Sequence, residues 1–382
     1  MATAAPDPAT PGIHRGLAGV VVDTTEISTV TPETNSLTYR GYPVQDLAAH
    51  CSFEAVAHLL WHGELPDNAQ LGELRARERA LRPLDRTTTE LLARLPDTCH
   101  PMDVLRTAVS FFGAEDPAED DGSPAANRAK SLALLARLPT VVAADHRRRR
   151  GLAPIQPDPS LGYAENFFHM CFGRIPEPEV VRCFEVSLVL YAEHSFNAST
   201  FTARVVTSTL SDLYSAVTAA VGALKGPLHG GANEAVMHML DEIGDPRRAE
   251  AWLDGALSAR RKIMGFGHRV YRHGDSRVPI MQEATDRLVA RSADPEVARL
   301  AALHAALRHA MITRKGIHPN LDYPAGFAYH LMGFDTAAFT PIFVMSRVTG
   351  WTAHITEQLD HNALIRPLGA YTGHGPRTVP AH

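Results

Sequence analysis

The sequence predicts an all-α protein with one small β element near its N-terminus. Two observations point there. From residue 46 onward, apolar residues recur at helical spacing in segments closed by Gly and Pro. Ahead of that point, β-branched residues gather in short runs. No internal repeat of about 20–50 residues is present, so a solenoid is not expected. Such helical dominance also argues against the nucleotide-binding folds built on parallel sheets.

In order, "GLAGVVVDTTEIS" (16–28) and "NSLTYRG" (35–41) read as short strands of a hairpin-like element. In "SFEAVAHLLWHGELP" (52–66), Ser52 is placed to cap a helix. Ala55, Val56, Leu59 and Leu60 share one face, and Gly63 and Pro66 close the segment. "HPMDVLRTAVSFFG" (100–113) repeats the pattern, with Pro101 in the first turn, a stripe of Leu105, Ala108, Val109 and Phe112, and Gly113 as a stop. "GAEDPAEDDGSPAAN" (113–127) is acidic and rich in Pro and Gly, and reads as an exposed loop. A helix ending in "DHRRRRG" follows. "EPEVVRCFEVSLVLYAEHSF" (177–196) then sets Val181, Phe184, Leu188 and Tyr191 on one face, with Ser187 small enough to join them. "STFTARVVTSTLSDLYSAVTAAVGAL" (199–224) supplies one or two further buried helices.

Composition bounds the function. The 382 residues are 45% hydrophobic and 21% charged, ordinary for a globular protein with a large core. A net charge of −5 does not suggest a general nucleic-acid binder, so any basic cluster is read as a local device. The four cysteines form no CxxC pair, which suggests neither a disulfide framework nor a thiolate zinc site, and a reducing, cytoplasmic setting fits. "MATAAPDPATPG" lacks the basic and apolar regions of a signal peptide, and residues 1–14 are expected to be a flexible tail. No run of about 18 apolar residues exists, so no membrane partner is expected.

Three histidines sit where helices begin or end: His194 in "AEHSFNAST", His229 in "GPLHGGANEA" and His268 in "GFGHRVYRHGDSR". Gly226, Pro227, Gly230 and Gly231 surround His229 just before an apolar helix. Glycines there let a ligand approach the backbone N–H groups. "GFGHRV" fails as a dinucleotide fingerprint, because Val270 occupies the third glycine position. There is no phosphate-binding GK[ST] loop and no HExxH. A zinc site built from His194, His229 and His268 stays open on these grounds. Asp322 lies between apolar and glycine neighbours in "HPNLDYPAGFAYHLMG"; an N-cap or turn role is the alternative. Arg347 falls on an apolar helix face in "FVMSRVTGWTAHITEQL" and wants a carboxylate or phosphate partner. Arg277, Arg347 and Arg366 together could clamp a polycarboxylate, although each alone reads as a plain salt bridge.

"GPLHGGANE", "GFGHRVYRHGDSR" and "HPNLDYPAG", in this order, resemble the three catalytic segments of the citrate synthase family. The resemblance runs from "SLTYRGYPVQDLA" through "RVTGWTAHITEQLDHNALIRP". "GLAGVVVDTTEIS" and the C-terminal "AYTG" look most like its actinobacterial 2-methylcitrate synthase branch. It implies a helical homodimer. Each subunit would have a large domain (1–229 and 334–382), a small domain (230–333), and a cleft that closes around oxaloacetate. It implies that propionyl-CoA, and also acetyl-CoA, condenses with oxaloacetate to give 2-methylcitrate or citrate and free CoA. A dedicated citrate synthase using acetyl-CoA is the alternative, and a His-ligated zinc hydrolase a remote one. No tightly bound cofactor and no metal are implied.

By the same resemblance, His229 hydrogen-bonds the thioester carbonyl, Asp322 removes the α-proton, and His268 polarises and protonates the oxaloacetate carbonyl. His194, Arg277 and Arg347 bind oxaloacetate, and Arg366 acts across the dimer interface. Lys262, Ile263, Met264, Gly265, Phe266, Gly267, Arg272 and Asn320 match the CoA-binding positions. "HRRRRG" (146–151) falls in a region that lies near the CoA phosphates of the neighbouring subunit; a solvated loop is the alternative. The chemistry is coherent without the name. A thioester α-carbon is too weak an acid for an aspartate alone, so the developing enolate oxygen needs a positioned donor, and the ketone needs its own.

Overall fold

The computed structural model describes residues 12–17, 19–271 and 274–380. A three-stranded antiparallel sheet comes first, in the order β1 (Ser28–Thr31), β2 (Ser36–Tyr39), β3 (Tyr42–Pro43), with Thr29 opposite Thr38. Helices then fill the chain: α1 (Val44–His50), α2 (Phe53–His62), α3 (Asn68–Leu81), α4 (Arg86–Arg94), α5 (Pro101–Glu115), α6 (Pro124–Arg149), α7 (Tyr163–Phe172) and α8 (Pro178–Tyr191). After these come α9 (Ala198–Thr207), α10 (Leu213–Leu224), α11 (Ala232–Ile243), α12 (Ala249–Ser258), α13 (Val278–Arg291), α14 (Pro295–Lys315), α15 (Asp322–Leu331) and α16 (Phe339–Asp360). The protein is mostly helical, as the apolar periodicity indicates.

Helix α16 is the axis of the molecule. Every residue from Phe339 to Ile355 is buried, so the helix has no solvent face. It packs against α2, α5, α6, α8, α9, α10 and α11. In the following layer α11 and α13 pack on α15, α12 packs on α14, and α13 reaches back to α8. The start of α15 and the start of α13 are thereby brought to the end of α8.

Local signals account for most boundaries. Ser52 Oγ accepts the Ala55 N–H at 3.3 Å, and Gly63, at φ 87°, ends α2. Ser187 is buried in the α8 stripe and receives the Tyr329 hydroxyl at 3.1 Å. Two expectations shift. The first strand begins only at Ser28, and the valines of "GLAGVVVD" are left largely exposed, Val21 at 88%. Only Ile27 joins the ladder, its carbonyl accepting the Arg40 N–H at 2.8 Å; among the described residues nothing pairs with residues 20–26 in the sheet, so β-branching alone does not make a strand. Gly113 does not stop α5, which continues to Glu115. A Cβ there would lie 2.9 Å from Tyr214 Cβ, so the glycine serves close packing of α10 on α5.

The arginine run at the end of α6 is engaged within the fold. Arg148 and Arg149 each pair with Asp145 at 2.7 Å, Arg149 also donates to Cys99 O at 2.7 Å, and Arg147 donates to Cys171 O at 3.3 Å. Arg150 grips Asp335 with two bonds of 2.9 and 2.8 Å. These contacts tie the helix end to the 95–99 loop, to α7 and to the connection from α15 to α16. They give the run a structural role that accounts for its charge.

In that last connection, Gly333 (φ 87°) turns the chain and Phe334 enters an aromatic socket. Its ring lies 5.1 to 5.9 Å from those of Phe172, Phe168, Phe167 and Phe184. Phe334→Ala should therefore lower unfolding free energy by about 3–5 kcal/mol, measured by chemical denaturation. A loss below about 1 kcal/mol would mean that the socket collapses freely and does not anchor the connection.

Candidate active site

On α16, Arg347, Trp351 and His354 recur at helical spacing and face the end of α8 and the turn into α9. Trp351 Nε1 donates to Ser199 Oγ at 3.0 Å. That hydroxyl lies 2.7 Å from His229 Nε2, and the Ser199 backbone N–H donates to the same nitrogen at 3.2 Å. An N–H can only donate, so Nε2 is the unprotonated nitrogen and the ring proton sits on Nδ1. Burial, with the Arg347 charge reinforcing it, pushes the His229 pKa down to about 3. His229 is therefore a neutral imidazole with an oriented donor. The glycines beside it work by close approach: a Cβ on Gly230 would lie 2.6 Å from Leu224 O, and none of the four neighbours needs a left-handed backbone.

His268 is set by a different device. Its Nδ1 accepts the N–H groups of Val270 and Tyr271 at 3.1 and 3.3 Å, which leaves the proton on Nε2. Burial lowers its pKa to about 4, with Asp275 opposing and Arg277 reinforcing. Its ring lies 4.9 Å from that of His194. His194 is buried, and its Nε2 has no hydrogen-bond partner among the described residues. Burial and then the charges of Arg277, His268 and Arg347 hold it well below the usual histidine range.

The segment before His268 pairs with the one before Asp322. Phe266 bridges Pro319, Gly267 N–H donates to His318 O at 2.9 Å, and Asn320 N–H donates to Gly265 O at 2.9 Å. Asn320 Nδ2 adds a bond to Gly267 O at 3.0 Å. Gly265 and Gly267 both sit at φ 78°, and a Cβ on Gly265 would lie 2.5 Å from Val236 Cγ2. This pairing fixes His268 relative to Asp322. It also engages the Gly267 N–H within the protein.

Asp322 opens α15. It is not an N-cap; its Oδ1 receives the Tyr191 hydroxyl at 2.7 Å. Burial pushes its pKa up to about 6, with the Tyr191 hydrogen bond and Arg277 opposing. The Tyr191 ring lies 4.0 Å from Phe343, and the Phe343 ring lies 6.4 Å from His229. One aromatic wall thus links Asp322 to His229.

The two buried arginines differ. Arg277 grips Asp275 with bonds of 2.9 and 2.7 Å, and Asp275 also accepts the Leu321 N–H at 3.1 Å, one residue before Asp322. Burial opposes the Arg277 charge, but the Asp275 pair outweighs it and holds the guanidinium firmly protonated. Arg347 donates its Nε to Tyr191 O at 2.6 Å and stacks 4.7 Å from the Phe343 ring. It forms no ion pair among the described residues. Burial lowers its pKa to about 10, with Glu193 opposing.

So His194, His229, His268, Asp322, Arg277 and Arg347 converge through a continuous set of contacts. Arg366 is exposed on the segment after α16 and has no bond joining it to them among the described residues. Of the CoA-binding positions, Lys262 is exposed, Met264, Phe266 and Asn320 are half-buried, Ile263 is buried, and Arg272 lies outside the described residues. Among the described residues, no group of three or more His, Cys, Asp or Glu is placed to hold a metal ion. Sequence reasoning missed Ser199, Asp275, Phe343 and Trp351 and took Tyr191 only as core. The one usable signal was Asp275, two residues before an arginine already singled out.

The family model described as "Citrate synthase, C-terminal domain" matches residues 16–368. The chain is 65% identical to the 2-methylcitrate synthase of Mycobacterium tuberculosis over 97% of its own length and 93% of that protein. It is 63% identical to the citrate synthase of Mycolicibacterium smegmatis, covering 99% and 100% of the two chains. Among solved structures, the ternary complex of Thermoplasma acidophilum citrate synthase with carboxymethyl coenzyme A and oxaloacetate superposes with a TM-score of 0.92. It is 33% identical and covers 97% and 99% of the two chains.

Tyr191 stabilises the ionised form of Asp322, so Tyr191→Phe should move the Asp322 pKa upward from about 6 by about one pH unit. Carboxyl infrared titration of the purified variant reads this directly. An unchanged or lowered value would show that the phenol does not bond the carboxylate.

Proposed function

The chain belongs to the citrate synthase family, and on that premise we propose that it condenses propionyl-CoA, and also acetyl-CoA, with oxaloacetate. Hydrolysis of the resulting thioester releases 2-methylcitrate or citrate and free CoA. The observation that carries this reading is Asp322. It is a carboxylate with its pKa raised to about 6 by burial, joined by one aromatic wall to a neutral, proton-bearing imidazole. That pairing suits removal of a proton from a weak carbon acid.

In this reading Asp322 takes the α-proton while His229 Nδ1–H donates to the thioester oxygen, so charge never builds up unmet on the enolate. The enol carbon attacks the ketone of oxaloacetate. His268 Nε2–H donates to the ketone oxygen as it becomes the hydroxyl. His194, Arg277 and Arg347 hold the dicarboxylate and fix which face of the ketone is presented. Arg366 acts across a homodimer interface. Its position beside the exposed Leu364 and Leu368, at 62% and 89%, supports a segment that finds its cover on a second copy. Lys262 to Gly267, Arg272 and Asn320 line the path of the CoA. A division into 1–229 with 334–382 and 230–333 agrees with the turn at Gly333 and with the mutual packing of α11 to α15. A cytoplasmic setting belongs to the same reading; no described helix is long and apolar enough to cross a membrane.

Both thioesters fit one site, because one methyl group in an apolar pocket is worth only about 1–3 kcal/mol. Thiol release with oxaloacetate and each acyl-CoA side by side should be seen for both, with kcat/KM values within about 200-fold. No thiol release with either one would overturn the proposal.

Asp322→Asn should lower turnover by about 10²–10⁴ while oxaloacetate still binds, read by calorimetry. It also carries a stability signature. The folded pKa of about 6 exceeds the unfolded value of about 3.9, so the folded state holds the proton more tightly. That stabilisation is complete below the unfolded value and lost as pH rises through 6. Above pH 6 the parent buries a charge at a cost of about 3 kcal/mol that the neutral Asn avoids. The variant should gain midpoint temperature over the parent at pH 8 and lose that advantage at pH 4. Turnover above a tenth of the parent's would remove Asp322 as the base.

A further inference from the structure

Glu193 immediately precedes His194 and is fully buried. Its Oε1 accepts from Ser28 Oγ at 2.9 Å and from His354 Nε2 at 2.9 Å. The other nitrogen of His354 lies 3.2 Å from Arg204 Nη1, which can only donate, so the imidazole proton is on the nitrogen facing Glu193. Arg204 ends on Glu357 at 2.8 Å and Asp23 at 3.1 Å. The Glu193 backbone is gripped as well: the Tyr39 hydroxyl receives its N–H at 3.3 Å and reaches its carbonyl at 2.9 Å. Ser195, at φ 49°, donates its N–H to Ser28 Oγ at 2.9 Å. The second carboxylate oxygen has no hydrogen-bond partner among the described residues and packs on Gly350. A Cβ there would lie 2.5 Å from Ala192 O and closer still to that carboxylate.

A buried carboxylate with one oxygen unbonded is costly unless a positive charge lies near. The only site cation without a direct carboxylate partner among the described residues is Arg347, one turn before Gly350 on α16. Arg277 has Asp275 in contact, and Arg347 has Glu193 at one remove. We propose that Glu193 is a positioning residue for oxaloacetate. Its carboxylate, clamped by Ser28 and His354, fixes the turn that aims His194 and balances the charge of Arg347 without covering the guanidinium. Direct pairing would compete with a substrate carboxylate; a charge that makes no ion pair with the guanidinium does not. This rests on reading the pocket as the oxaloacetate site.

The charge relation is reciprocal. Burial pushes the Glu193 pKa up, but His354 and Arg347 outweigh it and hold the carboxyl below its usual range. The titratable and charged groups around Arg347 are Glu193, Arg277, Tyr39 and Tyr191, and Arg347 acts in turn on His194, His229 and Asp322. With its pKa lowered to about 10, Arg347 stays protonated at neutral pH and titrates within the alkaline part of an activity profile.

The experiment measures KM and kcat for both substrates from pH 7 to 10 in the parent, Glu193→Gln and Ser28→Ala. Glu193→Gln keeps the shape and removes the charge. Its KM for oxaloacetate should rise about tenfold or more at pH 7.5, with kcat and the acyl-CoA KM changed less than about threefold. The rise should steepen with pH at least one unit below where it does in the parent. Ser28→Ala, which removes one bond and leaves the charge, should raise the oxaloacetate KM about two- to fivefold with a parent-like pH profile; it also serves if the glutamine variant does not fold. A parent with no turnover would defeat the functional reading itself. An active parent whose two variants keep its oxaloacetate KM and pH profile would defeat the role of Glu193 alone. A uniform loss of kcat and thermal midpoint with unchanged KM would do the same, marking Glu193 as merely structural.

Discussion

Two guanidiniums buried beside one another govern this site. Arg277 and Arg347 lie almost wholly inside the protein, where charge is weakly screened. Burial already disfavours the protonated forms of His194, His229 and His268. The arginines push in the same direction, Arg347 on His194 and His229, Arg277 on His194 and His268. The three imidazoles are thus held neutral. The same field acts oppositely on the carboxylate. Burial raises the Asp322 pKa, and the arginines, with the Tyr191 bond, stop it near 6. One arrangement of charge keeps the imidazole donors uncharged and leaves Asp322 ionised at neutral pH, a combination suited to proton abstraction from a weak carbon acid.

That field depends on where the most buried helix meets the end of α8. Arg347, Gly350, Trp351 and His354 come from one stripe of α16, and each contacts the stretch from Tyr191 to Ser199. The site therefore does not rest on loops alone. The side that carries Glu193 and His194 is built into the core, and the sheet takes part through Ser28 and Tyr39. His268 and Asp322 are fixed to each other by the pairing around Phe266 and Pro319, and reach the core through the Tyr191 hydroxyl.

Much of this was legible in the sequence, for stated reasons. Long amphipathic segments with caps announce helices, and Ser52 and Gly63 do as expected. His229, His268 and Asp322 stand out because each lies in a Gly/Pro-broken stretch where a polar side chain has no ordinary packing reason to be. Tyr191 could not be separated from Phe184 and Leu188 by spacing, because all three are buried on the same face; its hydroxyl acquires a function only from Asp322, far along the chain. Ser199 and Trp351 look generic for the same reason: their roles are relations between helices distant in sequence. The valines before Ser28 misled because strand formation needs a partner, and none lies alongside them among the described residues.

The arginines show the same limit from the other side. Local composition ranks the run Arg147 to Arg150 as the most conspicuous cation cluster of the chain, and Arg347 as a lone charge in an apolar helix. The fold reverses their meaning. Members of the run lie against Asp145, Asp335 and main-chain carbonyls, which satisfy them without a ligand. Arg347 has a carbonyl, an aromatic face and a distant carboxylate, but no anion in contact among the described residues. What makes a cation a binding group is the partner it lacks once the chain has folded, and that is a property of three-dimensional neighbours. The apolar setting of Arg347 was the readable trace of it: a helix face with nothing to offer a charge leaves that charge without an anion of its own.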